Sequence, residues 1–144
     1  MERRNKALAL FDNGYSCAQA ILIAFADIAG IEEEMAFRMA AGLGGGVGRT
    51  QNICGAINAG AIVLGLRHGN YAPDDLEAKN RLAEMVGQYV NECRKELGAT
   101  QCLELTKVDL NNPELKQLAN ESGLLAKICN NAVSKTADIL TKYL

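Results

Sequence analysis

The sequence predicts an all-α fold, a single-domain helical bundle of about five to seven helices over residues 1–144, with a glycine-rich loop ahead of the helix that carries Cys54. Three observations lead there. The composition is 49% hydrophobic but only 5% aromatic, with no Trp, and alanine and leucine carry much of the apolar content; closely packed helices favour that mix, whereas strands favour β-branched and aromatic residues. Apolar residues recur at helical spacing in one segment after another, and no stretch reads as a convincing strand. At 144 residues the chain buries roughly 68–70% of its unfolded surface on folding, enough for a core without disulfides or metal.

The elements follow in order. Residues 2–12 read as a short helix ending at the "DNG" turn. Ser16 is a helix cap, and the helix it opens runs to about Ala29, with Cys17, Ala20, Ile21, Ala24, Phe25 and Ile28 on one face and Gly30 as the stop. "EEEMAFRMAAG" forms a third helix, its acids in the first turn where the helix dipole favours them. After the glycine loop a fourth helix is expected from about Asn52 to Leu66, and after the turn-rich "RHGNYAPDD" a long fifth from about Asp74 to Leu97, closed by Gly98. Its stripe includes Leu82, Met85, Val86, Tyr89, Val90 and Cys93. Thr100 opens a short helix in "TQCLELT", "LNNPELKQLANESG" is a polar excursion with one or two helical turns, and a last helix spans about Leu124 to Lys142.

Charge and hydropathy exclude several function classes. Net charge is −2 and no basic helix alternates with aromatics, so nucleic acid is not an expected partner. No apolar stretch reaches the length of a membrane span, so no membrane insertion is expected. The N-terminal apolar run "ALALF" is too short for a signal peptide, and a cytoplasmic location is expected. The five cysteines, Cys17, Cys54, Cys93, Cys102 and Cys129, are an odd number at wide spacing without a CxxC. That argues against a full disulfide framework, a zinc ribbon or a thioredoxin-type motif.

The segment "GLGGGVGRTQNICGAINAG", residues 42–60, holds seven glycines in nineteen positions. A phosphate loop of the GxxxxGK[ST] type fails at Leu43 and Arg49, and GxGxxG fails at Val47 or Arg49; both motifs also need a preceding strand, and a helix precedes this segment. The alternative is a backbone built to present Cys54. With Thr50 or Asn52 as cap, Cys54 falls in a first helical turn, where free N–H groups and the dipole favour a thiolate. Arg49 is close enough in sequence to add to the effect. Glycines 44, 45, 46 and 48 allow positive φ, and Gly55 leaves space beside the sulfur. Cys102 repeats the arrangement behind Thr100. Cys93, on the stripe of the long helix, reads as a small buried hydrophobe. His68, the single histidine, lies just past a helix end and reads as a C-terminal cap.

"SCAQAIL" around Cys17, "GLGGGVGRTQNICGA" around Cys54, "GATQCLEL" around Cys102 and "KICNNAVSKTADIL" around Cys129 together resemble the family of redox-active proteins with a C_GCAxxG_C_C cysteine signature, over about residues 10–140. This chain reads Cys54-Gly55-Ala56 where the signature spells Gly-Cys-Ala, and Ala59 stands where its last glycine falls. The resemblance implies Cys17, Cys54, Cys102 and Cys129 as the functional set, with Cys93 outside it. The leading expectation is thiol–disulfide chemistry with an unidentified redox partner or a small thiol or disulfide substrate. In that reading Cys54 is the attacking thiolate, Cys102 resolves the mixed disulfide, and Cys17 and Cys129 form a second pair or complete the cluster. A second reading makes the same four cysteines ligands of zinc or an iron–sulfur cluster, without catalysis. A third is a helical interaction module with incidental cysteines.

Overall fold

The computed structural model describes residues 2–144. They form nine helices and no strand: α1 (Glu2–Asp12), α2 (Cys17–Ala24), α3 (Ala26–Ala29), α4 (Glu33–Ala40), α5 (Gly55–His68), α6 (Leu76–Leu97), α7 (Cys102–Thr106), α8 (Pro113–Glu121) and α9 (Leu124–Thr141). The all-α class holds. The helix count exceeds the five to seven expected, for two local reasons. The second expected helix breaks at Phe25, whose φ of −109° and ψ of 9° leave the helical region, and continues as α3. The polar excursion at 109–123 contains the regular helix α8, opened by Asn112, whose side chain accepts from the N–H groups of Glu114 and Leu115, with Pro113 at the first helical position.

Helix α2 is the centre of the molecule. Every one of its residues from Ala18 to Ala24 is buried, as befits a helix apolar on all sides, and α1, α4, α5 and α9 pack around it. Its start is fixed by a full capping box: the Ser16 hydroxyl accepts from the Gln19 N–H, and the Gln19 side chain accepts from the Ser16 N–H. Left-handed glycines end α3 at Gly30 and α6 at Gly98. On the far side α6 lies against α5 and α9. There the Tyr89 ring sits over Gly60, and its hydroxyl donates to the Ile57 carbonyl (2.9 Å). No helix among the described residues is long and apolar enough to cross a membrane.

The glycine segment has a backbone that a sequence reading does not foresee. Residues 45–49 are consecutively left-handed in φ, at 69°, 72°, 69°, 61° and 63°. L-residues normally visit this region singly, yet Val47 and Arg49 take part. The turn closes on itself: Val47 N–H donates to Leu43 O, Gly48 N–H to Gly42 O, and Asn52 N–H to Gly46 O. Gly44, one of the glycines expected at positive φ, is not. The glycines differ in what they exclude. A Cβ on Gly46 would meet the Asn52 backbone at 2.6–2.7 Å, whereas Gly48 faces open space. Gly48→Ala is therefore expected to cost only the left-handed penalty, about 1–2 kcal/mol. Gly46→Ala adds a backbone collision to the same penalty, so its urea midpoint should fall further. Equal midpoints would contradict this packing.

Candidate functional site

Four segments converge on one cavity of about 320 Å³, lined by Cys17, Cys54, Cys102 and Cys129 together with an apolar wall. Cys93 is not among its residues. Three of the four thiols stand at helix starts. Cys17 is the first residue of α2, Cys54 is the N-cap of α5, and Cys102 is the first residue of α7. Cys129 lies inside α9 and rides in on its packing against α2, α5 and α7.

Cys54 and Cys102 are placed by a contact between two irregular segments. Ile53 and Gln101 form an isolated antiparallel bridge, with Cys54 N–H donating to Thr100 O (2.8 Å) and Cys102 N–H to Asn52 O (2.7 Å). This pairing explains why α5 starts at Gly55 and not near Asn52, and why α7 is capped by Gln101 and not Thr100: the residues between are held extended. In such a ladder Cys54 faces Thr100, and Cys102 is its diagonal neighbour, with Cα atoms about 7–8 Å apart on the same face. That is at or beyond the roughly 7 Å limit for a disulfide without backbone movement.

The close pair is Cys17 and Cys54. Each is the leading influence on the other's pKa, and the Ala56 N–H at the start of α5 acts on both. Gly55 makes the approach feasible. A Cβ there would sit 3.0 Å from the Cys17 sulfur and 2.8 Å from the Leu43 carbonyl oxygen. The space beside Gly55 thus serves Cys17, the sulfur from the other helix. The Cys54 thiol is the main influence holding the Cys17 pKa below that of an ordinary thiol, against the opposing effect of burial. The Cys17 thiol, followed by burial, pushes Cys54 well above it; the Ala56 and Ile57 N–H groups pull the other way without prevailing. Within this pair the lower pKa falls to Cys17 and the higher to Cys54. Cys54 does stand at a helix start, but it is buried, at 7% exposure, and burial and Cys17 both raise its pKa. Arg49 is exposed and is not among the leading influences on Cys54.

The remaining thiols are protonated at neutral pH. Burial raises Cys102, with Cys54 nearby adding, and the Gln51 amide partly offsets both. Burial, with Cys54 and Cys102 nearby, pushes Cys129 up to about 12. Cys93 is fully buried and also pushed up to about 12. The Thr136 hydroxyl beside it makes no conventional hydrogen bond, and the Cys93 thiol is the polar group against it. This agrees with a packing role. His68 is remote from the thiols: its Nε2 donates to the Tyr143 carbonyl (2.8 Å) and ties α5 to the C-terminal turn.

Two residues at the site escape a sequence reading. Gln51 is buried at positive φ. Its amide donates to Val108 O (2.7 Å) and approaches the Cys102 sulfur (4.0 Å), while its oxygen accepts from Leu110 N–H (3.0 Å). It ties the end of the glycine turn to the segment between α7 and α8. Lys116, on α8, is the one cation lining the cavity. Neither carries a local sequence signal. As to metal, no three His, Cys, Asp or Glu residues among those described are gathered closely enough to hold an ion. The four thiols share a cavity, but their spacing does not fit a four-thiolate ligand set.

A comparison with protein families matches residues 15–143 to the family described as "Putative redox-active protein (C_GCAxxG_C_C)". No curated protein and no solved structure matches the chain.

Proposed function

Because the chain belongs to the C_GCAxxG_C_C family of redox-active proteins, we propose that it carries out thiol–disulfide exchange with Cys17 as nucleophile and Cys54 as resolving thiol. The observation that carries this reading is the placement of Cys17 and Cys54 on one cavity, with the Cys17 sulfur against Gly55 and each thiol the leading influence on the other's pKa. Cys17 is the more exposed of the two and holds the favoured negative charge. Its thiolate attacks one sulfur of a disulfide substrate, the substrate's S–S bond breaks, and the first half leaves as a thiolate that takes the Cys54 proton. Cys54 then attacks the Cys17 sulfur and expels the second half as a thiolate. Two electrons pass from the protein to the substrate, and the protein ends with a Cys17–Cys54 disulfide. This replaces the assignment of attack to Cys54 and resolution to Cys102.

The test is stepwise oxidation of the reduced protein with diamide, with disulfides mapped by mass spectrometry. Cys17–Cys54 should be the first bridge formed. In iodoacetamide labelling Cys17 should react first, with a midpoint below the free-thiol value of about 8.5, and Cys54→Ala should raise that midpoint. First formation of Cys54–Cys102, or first labelling of Cys54, would defeat the reading. Zinc or iron in stoichiometric amount after oxygen-free purification would favour the metal reading.

A further inference from the structure

The walls of the thiol cavity are apolar, formed by Phe11, Leu105, Leu110, Leu125, Ile128 and Ala132. Its volume of about 320 Å³ lies at the small end of the range for small-molecule sites. Beside it is a shallower depression of about 500 Å³ on the outer face of the glycine turn. The two share Ser16, Gly45, Leu110 and Lys116, and the depression adds Arg49. Neither is lined by a carboxylate. Among the described residues neither Arg49 nor Lys116 makes an ion pair. An apolar chamber holding the thiols thus opens beside two cations that make no ion pair among the described residues. The arrangement suits a molecule with a sulfur-bearing apolar body and an anionic end. Access is narrow: Cys54 and Cys102 are only 7% and 9% exposed, and Cys17 is half-buried. A disulfide fixed on a folded protein would have to push its own surface into the chamber.

We propose that the cavity takes a low-molecular-weight apolar disulfide bearing a carboxylate, with its sulfurs beside Cys17 and its carboxylate held at the mouth by Lys116 and Arg49. This rests on the exchange reading above and adds the substrate class. The reaction is the same two-electron exchange: the substrate disulfide is reduced to thiols and the Cys17–Cys54 pair is oxidised. The carboxylate lowers the free energy of binding through the two cations, an effect that salt weakens.

The test follows closure of the Cys17–Cys54 pair in the reduced protein by mass spectrometry, with four oxidants in parallel: lipoate, its neutral amide lipoamide, glutathione disulfide and insulin. Lipoate is expected to act fastest, about fivefold faster than lipoamide at low ionic strength, as one exposed and one partly buried cation would give. That ratio should shrink toward one at high salt and in Lys116→Gln. Glutathione disulfide, with its polar body, and insulin, with its disulfides on a protein, should be slower than both. Equal rates for lipoate and lipoamide, a ratio unchanged in Lys116→Gln, or insulin acting as fast as lipoate would overturn the proposal. If lipoate fails while diamide still closes the pair, the substrate class is wrong and the exchange chemistry survives. If diamide closes a different pair, the functional reading fails instead.

Discussion

Gly60→Ala is expected to lower stability by about 3 kcal/mol, which for a chain of this size is a fall in Tm of roughly 6–12 °C. A Cβ at residue 60 would occupy the space of the Tyr89 phenol, overlapping its oxygen and ring carbon. Tyr89 has nowhere to go. It is fully buried, its hydroxyl is bonded to Ile57 O, and its ring meets Tyr143 edge-on (6.1 Å between centroids). The variant must either expel the ring or separate α5 from α6. A double-mutant cycle identifies the cause. Tyr89→Leu alone should cost about 2 kcal/mol through lost packing. Combined with Gly60→Ala it should cost clearly less than the two single effects summed, because the added methyl then fills space the ring has left. Urea denaturation of the four proteins checks this, and strict additivity would mean that Gly60 is not there for Tyr89.

Stability should also fall steeply in alkali. A thiol whose native pKa is raised contributes stability in full below its unfolded value and loses it as pH rises through the native one. Cys93 and Cys129 are both pushed up to about 12, against about 8.5 in an unfolded chain. Between those limits the unfolded state has released the protons that Cys93 and Cys129 keep in the native state, and the raised Cys54 and Cys102 thiols add to the difference. Cys93 and Cys129 each cost about 1.4 kcal/mol per pH unit, or about 2.7 together. Tyr89, raised well above its ordinary value by burial, adds to the loss once pH passes about 10. Cys17 has the opposite sign: its contribution is complete in alkali and disappears as pH falls through its lowered native value. Urea melts under reductant from pH 8.5 upward should show the decline, and Cys93→Ala should flatten it by about 1.4 kcal/mol per pH unit even while lowering stability at neutral pH. A slope unchanged in Cys93→Ala would refute the assignment.

What could be read in the sequence was whatever a few adjacent residues decide. Ser16 announces the start of α2, Gly30 and Gly98 announce stops, and the stripe through Tyr89 and Cys93 gives α6 its buried face. The motif failures at Leu43, Val47 and Arg49 agree with a preceding helix, α4, in place of a strand. What escaped depends on partners far along the chain. The Ile53–Gln101 bridge joins residues 48 apart in sequence, and it alone shifts two helix starts. The pairing of Cys17 with Cys54 depends on how α2 crosses the start of α5, which no spacing encodes. The helix-dipole argument for Cys54 named a true influence and missed its rivals: burial and a neighbouring sulfur outweigh two N–H groups. In α8 the surface residues hid a helix because its buried side is small, with Ala119 its one buried residue.

The turn at residues 45–49 is in effect a short piece of mirror-image polypeptide set into an ordinary chain. Of the encoded amino acids glycine alone is indifferent to hand. At Gly45, Gly46 and Gly48 the genetic code therefore offers one residue that fits without strain, whatever chemistry the neighbouring thiols perform. The cavity walls can be redrawn one side chain at a time, since their shape is a matter of volume. The frame that carries Asn52 to its bridge with residue 102 is a matter of chirality, and no choice of side-chain size substitutes for it.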